Sequence, residues 1–161
     1  MHGEYVDKTC RIYNNLELAK LKTSQLYAEF CIAKDLCHEN IVSYKYFVRT
    51  FDPVNKFHDC HIIMELLEGG DMDQYLKEKG RPQNIEKVKE IGGQLISGIK
   101  YLHDSKIIHQ DLKPQNVLFS TMKCDRVKLI DLGVSNKLEQ TRDKTSSAAA
   151  GTMRYMPPEQ L

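Results

Sequence analysis

Four polar side chains suited to phosphoryl transfer fall in two short segments of this 161-residue chain. Residues 109–116 read His-Gln-Asp-Leu-Lys-Pro-Gln-Asn, which brings together the carboxylate of Asp111, the ammonium of Lys113 and the amide of Asn116. A second carboxylate, Asp131, begins the sequence Asp-Leu-Gly after a short apolar stretch. Phosphoryl transfer needs a base that orients a hydroxyl, a cation on the migrating phosphoryl group, and oxygen ligands that hold Mg²⁺ on a nucleotide. The two segments therefore predict this chemistry.

The elements that must position these groups follow from the hydrophobic pattern. Alternating residues predict strands, and apolar residues recurring at helical spacing predict helices. The predicted elements, in chain order, are a strand over 9–13, a helix over 16–36, strands over 41–49 and 61–66, a joint at Gly69-Gly70, a helix over 82–103, a hairpin of 117–119 with 127–130, and a mobile loop over 134–150. The helix over 82–103 carries an apolar stripe that must pack on another element, made of Ile85, Val88, Ile91, Leu95, Ile96, Ile99 and Leu102.

The composition limits the classes of molecule that the chain is expected to bind. Hydrophobic residues make up 41% of the chain and charged residues 28%, as in an ordinary soluble globular protein. The 23 basic and 22 acidic residues leave a net charge of +1, so no strong field draws the chain to nucleic acid or to an anionic membrane. No apolar run approaches membrane-spanning length. The five cysteines are scattered, which favours reduced thiols in the cytoplasm, with the nucleus as the alternative.

The motifs resemble those of the protein kinase family, in the family's order. Residues 109–116 resemble the catalytic loop H-R-D-L-x-x-x-N, and 131–133 resemble D-F-G. Residues 151–159 resemble the end of a kinase activation segment, 38–42 resemble H-x-N-I-V, and 63–71 resemble the strand and hinge beside the nucleotide. The resemblance covers nearly the whole chain.

This resemblance implies an α+β fold of the bilobal kinase type, truncated at both ends. Residues 1–67 would form a partial N-lobe with the hinge, and residues 68–161 a partial C-lobe. The resemblance also implies ATP and Mg²⁺ as cofactors.

The resemblance assigns catalytic roles to the four polar side chains of residues 109–116 and 131. Asp111 would orient the substrate hydroxyl, and Lys113 would stabilise the transferring phosphoryl group. Asn116 and Asp131 would hold Mg²⁺. Because metal-assisted transfer needs all of them within reach of one triphosphate, we expect these side chains to converge.

The resemblance also implies a nucleotide-binding set. Arg11 aligns best with the lysine that binds phosphates, because Cys10 and Ile12 then face the core. Lys8 is the rival for this position. The residues implied around the nucleotide are Glu29 as the partner of that cation, Met64 as gatekeeper, Glu65 and Leu67 as backbone partners of adenine, Asp71 toward the ribose, Leu118 as the floor under adenine, and Val6 as part of the roof.

Two departures from the family pattern lie in the catalytic segments. Gln110 replaces the arginine of H-R-D, so the cation that pairs with a phosphorylated activation loop is missing. Leu132 replaces the phenylalanine of D-F-G, which keeps an apolar group there. We expect phosphorylation of the loop hydroxyls to have a weak effect or none; these are Thr141, Thr145, Ser146 and Ser147.

Three functional hypotheses follow. The first is a protein serine/threonine kinase, since Lys113 in Asp-Leu-Lys-Pro is the serine/threonine-type signature of the catalytic loop; its partners would be ATP and a protein with a Ser or Thr hydroxyl. The second is a pseudokinase or regulatory fragment that binds a protein partner without catalysis, which Arg11, Gln110 and the missing glycine-rich phosphate loop favour. The third is an incomplete piece of a longer gene product.

Overall fold

The computed structural model describes residues 5–12, 16–52, 57–80, 84–133, 136–137 and 155, with the side chains at 10–12, 16–20, 52, 57–58 and 136–137 outside the description. The chain divides into two compact units. The first comprises Met1–Cys37 with Ser43–Leu66, and the second comprises His38–Val42 with Leu67–Leu161. Helices and strands occur in both units, as the predicted α+β class requires.

The first unit is a three-stranded antiparallel sheet with one helix. Its strands are β1 (Tyr5–Ile12), β2 (Tyr44–Asp52) and β3 (Phe57–Glu65), with β3 in the centre, and its helix is α1 (Leu16–Ala33). Residues at alternate positions of β3 lie on the same face, and Cys60, Ile62 and Met64 are buried there. Leu26 and Ala33 of α1 are also buried. The predicted strands and helix are confirmed, although β1 begins earlier than predicted and α1 ends earlier.

Among its described residues, the second unit contains two α-helices, one turn of 3₁₀ helix at Pro114–Asn116 and four short strands. The elements are α2 (Met72–Lys79), α3 (Ile85–Asp104), β4 (Ile107–Ile108), β5 (Val117–Phe119), β6 (Val127–Leu129) and β7 (Asn136–Lys137). Both helices begin at a side-chain cap, because Asp71 Oδ1 accepts from the backbone N–H of Gln74 at 2.8 Å and Asn84 Oδ1 accepts from that of Glu86 at 2.9 Å.

The apolar stripe of α3 is only partly buried. Ile91 and Leu102 are buried, as predicted. Ile85, Val88 and Ile96 are exposed, so the prediction that the whole stripe packs on another element is wrong for these positions in the described part of the chain.

The predicted hairpin is present as β5 and β6, and the chain approaches it closely at Gly69. The Gly69 N–H donates to the Phe119 carbonyl at 3.0 Å, and a Cβ at residue 69 would lie 2.3 Å from the Thr121 carbonyl oxygen. Only glycine fits this contact without a shift of the backbone. Gly69 therefore fixes the segment that leads into α2 against the hairpin.

Two sequence predictions fall largely outside the described residues. The loop predicted over 134–150 is described only at Asn136–Lys137, which pair with β4 as β7. The motif at 151–159 and the loop hydroxyls lie outside the description, apart from Tyr155. Within the described residues, no helix is long and apolar enough to span a membrane.

Candidate active site

The β5–β6 hairpin brings the two polar segments to the same end of one element. The strands are antiparallel, with Val117 opposite Leu129. Asn116 directly precedes β5 and Ile130 directly follows β6, and the Ile130 N–H donates to the Asn116 carbonyl at 3.0 Å. This pairing fixes the start of the Asp-Leu-Gly segment beside the end of the segment at 109–116.

Asp111, Lys113 and Asn116 form one bonded cluster. The side-chain amide of Asn116 donates to the Asp111 carbonyl at 2.8 Å and to the Asp111 carboxylate oxygen Oδ2 at 3.0 Å. The Lys113 ammonium lies 2.6 Å from the same carboxylate oxygen, and the two side chains are 21% and 12% exposed, respectively. The cluster holds the carboxylate in a fixed orientation and leaves it accessible to a small group.

The ring of His109 bonds to the backbone beside this cluster. Its side chain is buried; Nδ1 accepts from the backbone N–H of Asp111 at 3.3 Å, and Nε2 therefore donates to the Ile130 carbonyl at 2.9 Å. Burial lowers the pKa of His109 below its ordinary value, and this effect exceeds the opposing attraction of Asp131 and Asp111. The neutral ring thus joins the backbone of both polar segments.

Asp131 begins the second polar segment with an uncommon backbone conformation. Its φ is +61°, in the left-handed region that few residues other than glycine adopt. Its carboxylate oxygen Oδ1 accepts from the backbone N–H of Gly133 at 3.3 Å. The strained conformation is held by the hairpin on one side and by this turn on the other.

Asn116 and Asp131 carry oxygen atoms of the kind that bind magnesium. The Asn116 amide uses its nitrogen for Asp111, and its oxygen makes no hydrogen bond with any residue that the structure describes. Mg²⁺ prefers oxygen ligands and is usually held by one or two carboxylates together with phosphates and water. Among the described residues, no group of three or more His, Cys, Asp and Glu side chains could hold a metal alone. Asn116 and Asp131 therefore offer an amide oxygen and a carboxylate, which are ligand types that Mg²⁺ accepts.

A second polar cluster lies in the first unit. The Lys8 ammonium donates to both carboxylate oxygens of Glu29, at 2.8 and 2.9 Å. Glu29 is 3% exposed and Lys8 is 38% exposed. The predicted partnership of Glu29 with a strand cation is thus present, and the cation is Lys8.

The alignment of Arg11 with this position is wrong. Lys8 pairs with Ile62 across the sheet and so belongs to the face that carries the buried residues of β3, whereas Arg11 pairs with Asp59. Asp7 and Thr9, on either side of Lys8, are exposed and bond to His61, which makes the opposite face of β1 a polar surface.

Three other predicted nucleotide-binding residues lie in or beside β3. Met64 is buried in β3, as a core residue of an apolar strand would also be. Glu65 ends β3, and its side chain accepts from the backbone N–H of Ser43 at 2.7 Å. Leu67 opens the second unit. Their contact with a nucleotide stays a prediction.

Asp71 and Leu118 are neighbours within the second unit. They form an antiparallel bridge, and the Phe119 N–H donates to the Gly70 carbonyl at 2.9 Å. The Asp71 side chain caps α2, which gives it a structural role independent of any ribose. Leu118 is half-buried in β5.

Sequence reasoning missed two residues that these clusters use. The motif at 109–116 does not by itself reveal that the buried ring of His109 links the two polar segments. Tyr44 donates from its hydroxyl to Glu29 at 2.8 Å and is 4% exposed. No sequence pattern distinguishes such a tyrosine from an ordinary apolar core residue, because its partner is set by the fold.

The buried neutral state of His109 predicts a loss of stability in mild acid. Because its folded pKa is lowered, the contribution of His109 is fully present above the ordinary value of 6.5 and is lost as the pH falls below that value toward the folded pKa. We expect the free energy of unfolding, measured by urea denaturation between pH 7.5 and pH 5, to fall less steeply in His109→Gln than in the parent chain.

The matched control is His103→Gln, on an exposed histidine at the end of α3. This variant should keep the pH dependence of the parent. Equal slopes in His109→Gln and in the parent would show that His109 does not carry this effect.

The sequence was compared with known protein families and proteins. The chain matches the family model described as the protein kinase domain over residues 5–161. It is 33% identical over 158 residues to calcium-dependent protein kinase 6 of Plasmodium berghei, which covers 95% of this chain and 10% of that protein. It is 32% identical over 151 residues to the SNF-related serine/threonine-protein kinase of Homo sapiens, which covers 94% of this chain and 19% of that protein.

A third relative is the cytokinesis protein sepH of Aspergillus terreus, 37% identical over 145 residues, or 89% of this chain and 10% of that protein. The chain thus spans between a tenth and a fifth of the length of these relatives. The match nevertheless extends from β1 to the last residue and includes both polar clusters. This chain belongs to the protein kinase domain family.

Proposed function

We propose that the protein is a serine/threonine kinase that transfers the γ-phosphate of Mg-ATP to a protein hydroxyl. The observation that carries this proposal is the bonded cluster of Asp111, Lys113 and Asn116, which the hairpin joins to the segment that begins with Asp131. The names of the relatives support the serine/threonine class.

Asp111 is the residue that would position the attacking hydroxyl. Its carboxylate is held by Asn116 and Lys113 yet remains partly accessible. In the transfer step the hydroxyl oxygen of the substrate bonds to the γ-phosphorus while the bond from that phosphorus to the β,γ-bridging oxygen breaks. The proton of the hydroxyl passes to Asp111, and ADP leaves with the bridging oxygen.

Lys113 would act on the charge that develops during transfer. Its ammonium already lies against the Asp111 carboxylate, so a small displacement brings it to an oxygen of the migrating phosphoryl group. A fixed cation in a partly buried place stabilises such charge more strongly than one in water.

Asn116 and Asp131 would hold the metal ion. Bound magnesium supplies positive charge that neutralises the phosphate oxygens. The hydrogen bond from Asn116 to Asp111 turns the amide oxygen away from the carboxylate, which leaves that oxygen available as a ligand. Lys8, which Glu29 holds through two hydrogen bonds, is proposed to bind the phosphates in place of Arg11.

The alternative function is a binding module without catalysis. Gln110 still favours it, since a neutral amide cannot pair with a phosphorylated loop as an arginine does. Arg11 does not favour this alternative, because Lys8 supplies the expected ion pair with Glu29. A regulatory protein partner and a cytoplasmic location are further proposals, and the latter rests on the scattered cysteines.

The first test of the proposed function is nucleotide binding. Isothermal titration of the 161-residue chain with ATP should give saturable binding in Mg²⁺ and much weaker binding in EDTA, because the protein oxygens at the metal site need phosphates to complete the coordination. GTP serves as the matched ligand that differs in its base. Absence of ATP binding under both conditions would contradict the proposal.

A further inference from the structure

Glu29 is a buried carboxylate that accepts three hydrogen bonds from two side chains. Lys8 donates to both of its oxygens, and the Tyr44 hydroxyl donates to Oε1 at 2.8 Å. The three side chains lie in the first unit, on β1, α1 and β2. Tyr44 is 4% exposed and Glu29 is 3% exposed, so water has almost no access to their contact.

The two partners of Glu29 differ in accessibility and in charge. The Lys8 side chain is 38% exposed, and in the proposed function its ammonium must also bind phosphate oxygens. Each step of that ammonium toward a phosphate weakens its hold on Glu29. A buried carboxylate left without donors is costly, which by itself would oppose the movement of Lys8.

Tyr44 removes part of this opposition. Its hydroxyl is neutral and is held in the core of the unit. It is therefore not drawn toward the phosphates as the Lys8 ammonium is. It therefore keeps one hydrogen bond on the carboxylate whatever Lys8 does. The bond also fixes the carboxylate orientation, and through it the position of the ammonium.

We propose that Tyr44 is a positioning residue for nucleotide binding, which holds Glu29 so that Lys8 can be shared between this carboxylate and the phosphates. The proposal rests on the proposed function, since it concerns the same nucleotide. It adds a residue that acts through Glu29 and touches neither substrate nor metal.

The test uses Tyr44→Phe, which removes the hydroxyl and keeps the ring. The matched control is Tyr46→Phe, the same change on a tyrosine of the same strand that is 63% exposed. The probe is a fluorescent N-methylanthraniloyl-ATP titrated in Mg²⁺. We expect Tyr44→Phe to raise the Kd about tenfold, in keeping with the loss of a hydrogen bond to a charged group, and Tyr46→Phe to leave it unchanged.

A second background separates positioning from packing. In Glu29→Gln the acceptor charge is gone, so adding Tyr44→Phe should cause little further loss of affinity. A purely structural role of the hydroxyl would instead give the same loss in both backgrounds, which would overturn the proposal.

The outcomes distinguish this inference from the proposed function. If the parent chain does not bind the probe, the proposed function fails. If the parent binds it and Tyr44→Phe binds it equally well, the function stands and the inference fails.

A spectroscopic measurement covers the case in which Tyr44→Phe does not fold. In parent chain labelled with ¹³Cζ-tyrosine, Mg-ATP should move the NMR signal of Tyr44 downfield. The reason is that the hydrogen bond from the Tyr44 hydroxyl to Glu29 strengthens when Lys8 moves toward the phosphates. The Tyr46 signal serves as the reference. A Tyr44 signal that does not move would overturn the proposal.

Discussion

Asp131→Asn is expected to abolish Mg²⁺-dependent ATP binding while the chain stays folded. Asp131 supplies the only carboxylate of the proposed metal pair, since its companion Asn116 contributes a neutral amide oxygen. Replacing the carboxylate by an amide leaves the metal with two neutral protein ligands. Mg²⁺ gives up its water reluctantly, so the loss of the charged ligand should remove the gain in affinity that the metal brings.

The measurement is the ratio of the ATP dissociation constants in EDTA and in Mg²⁺. This ratio should be large for the parent chain and close to one for Asp131→Asn. The control is Asp104→Asn, the same substitution on a carboxylate of α3 that is 65% exposed. A ratio in Asp131→Asn equal to that of the parent would show that Asp131 does not bind the metal.

Asp111→Asn is expected to remove phosphoryl transfer and to leave ATP binding largely intact. The asparagine keeps the size of the side chain, and the Asn116 amide keeps its bond to the backbone carbonyl at 2.8 Å. The amide cannot accept the proton of the hydroxyl, and it no longer attracts Lys113. General-base positioning contributes about 10²- to 10⁴-fold to a rate, so we expect kcat to fall by about that factor.

Two quantities check this prediction on one preparation. The rate of transfer from Mg-ATP to a mixture of Ser- and Thr-containing peptides should fall, and the ATP dissociation constant should stay near that of the parent. Asp104→Asn again serves as the control. If Asp111→Asn weakened ATP binding as much as transfer, the residue would act on the nucleotide and its assigned role would be wrong.

The sequence predicted the contacts among Asp111, Lys113 and Asn116 well, because their spacing is local. Asp111, Lys113 and Asn116 lie on one short segment, and the hairpin that brings Asp131 toward them is formed by two runs of apolar residues close in the chain. Such contacts need only the turn and the strand alternation to be correct. The structure shows Asp111, Lys113 and Asn116 bonded to one another and fixes Ile130, which precedes Asp131, against Asn116. The convergence of the Asp131 side chain with this cluster and the catalytic roles stay predictions.

The sequence failed where the contact depends on strand register. β1 begins at Tyr5, earlier than its pattern suggested, and its register puts Lys8 opposite Ile62. A polar residue can occupy the inward face when a buried partner such as Glu29 satisfies it, and a hydrophobicity pattern cannot foresee this partner. The same reason hid Tyr44, whose hydroxyl matters only because of the carboxylate that the fold brings to it.

At the exposed positions of α3 the hydrophobic pattern predicted more burial than the structure shows. The helical period correctly predicted the helix and its buried residues Ile91 and Leu102. It predicted burial for Ile85 and Ile96 as well, since periodicity records which residues share a face and not which of them meet a partner.

The proposed transfer of phosphate to serine or threonine is tested most directly by phosphoamino-acid analysis. The parent chain and Asp111→Asn are incubated in parallel with γ-labelled Mg-ATP and the peptide mixture, and the products are hydrolysed and separated. We predict label on phosphoserine or phosphothreonine with the parent, and a loss of about 10²- to 10⁴-fold in Asp111→Asn. ATP binding without any label above the Asp111→Asn level would contradict the account and would identify the chain as a binding module.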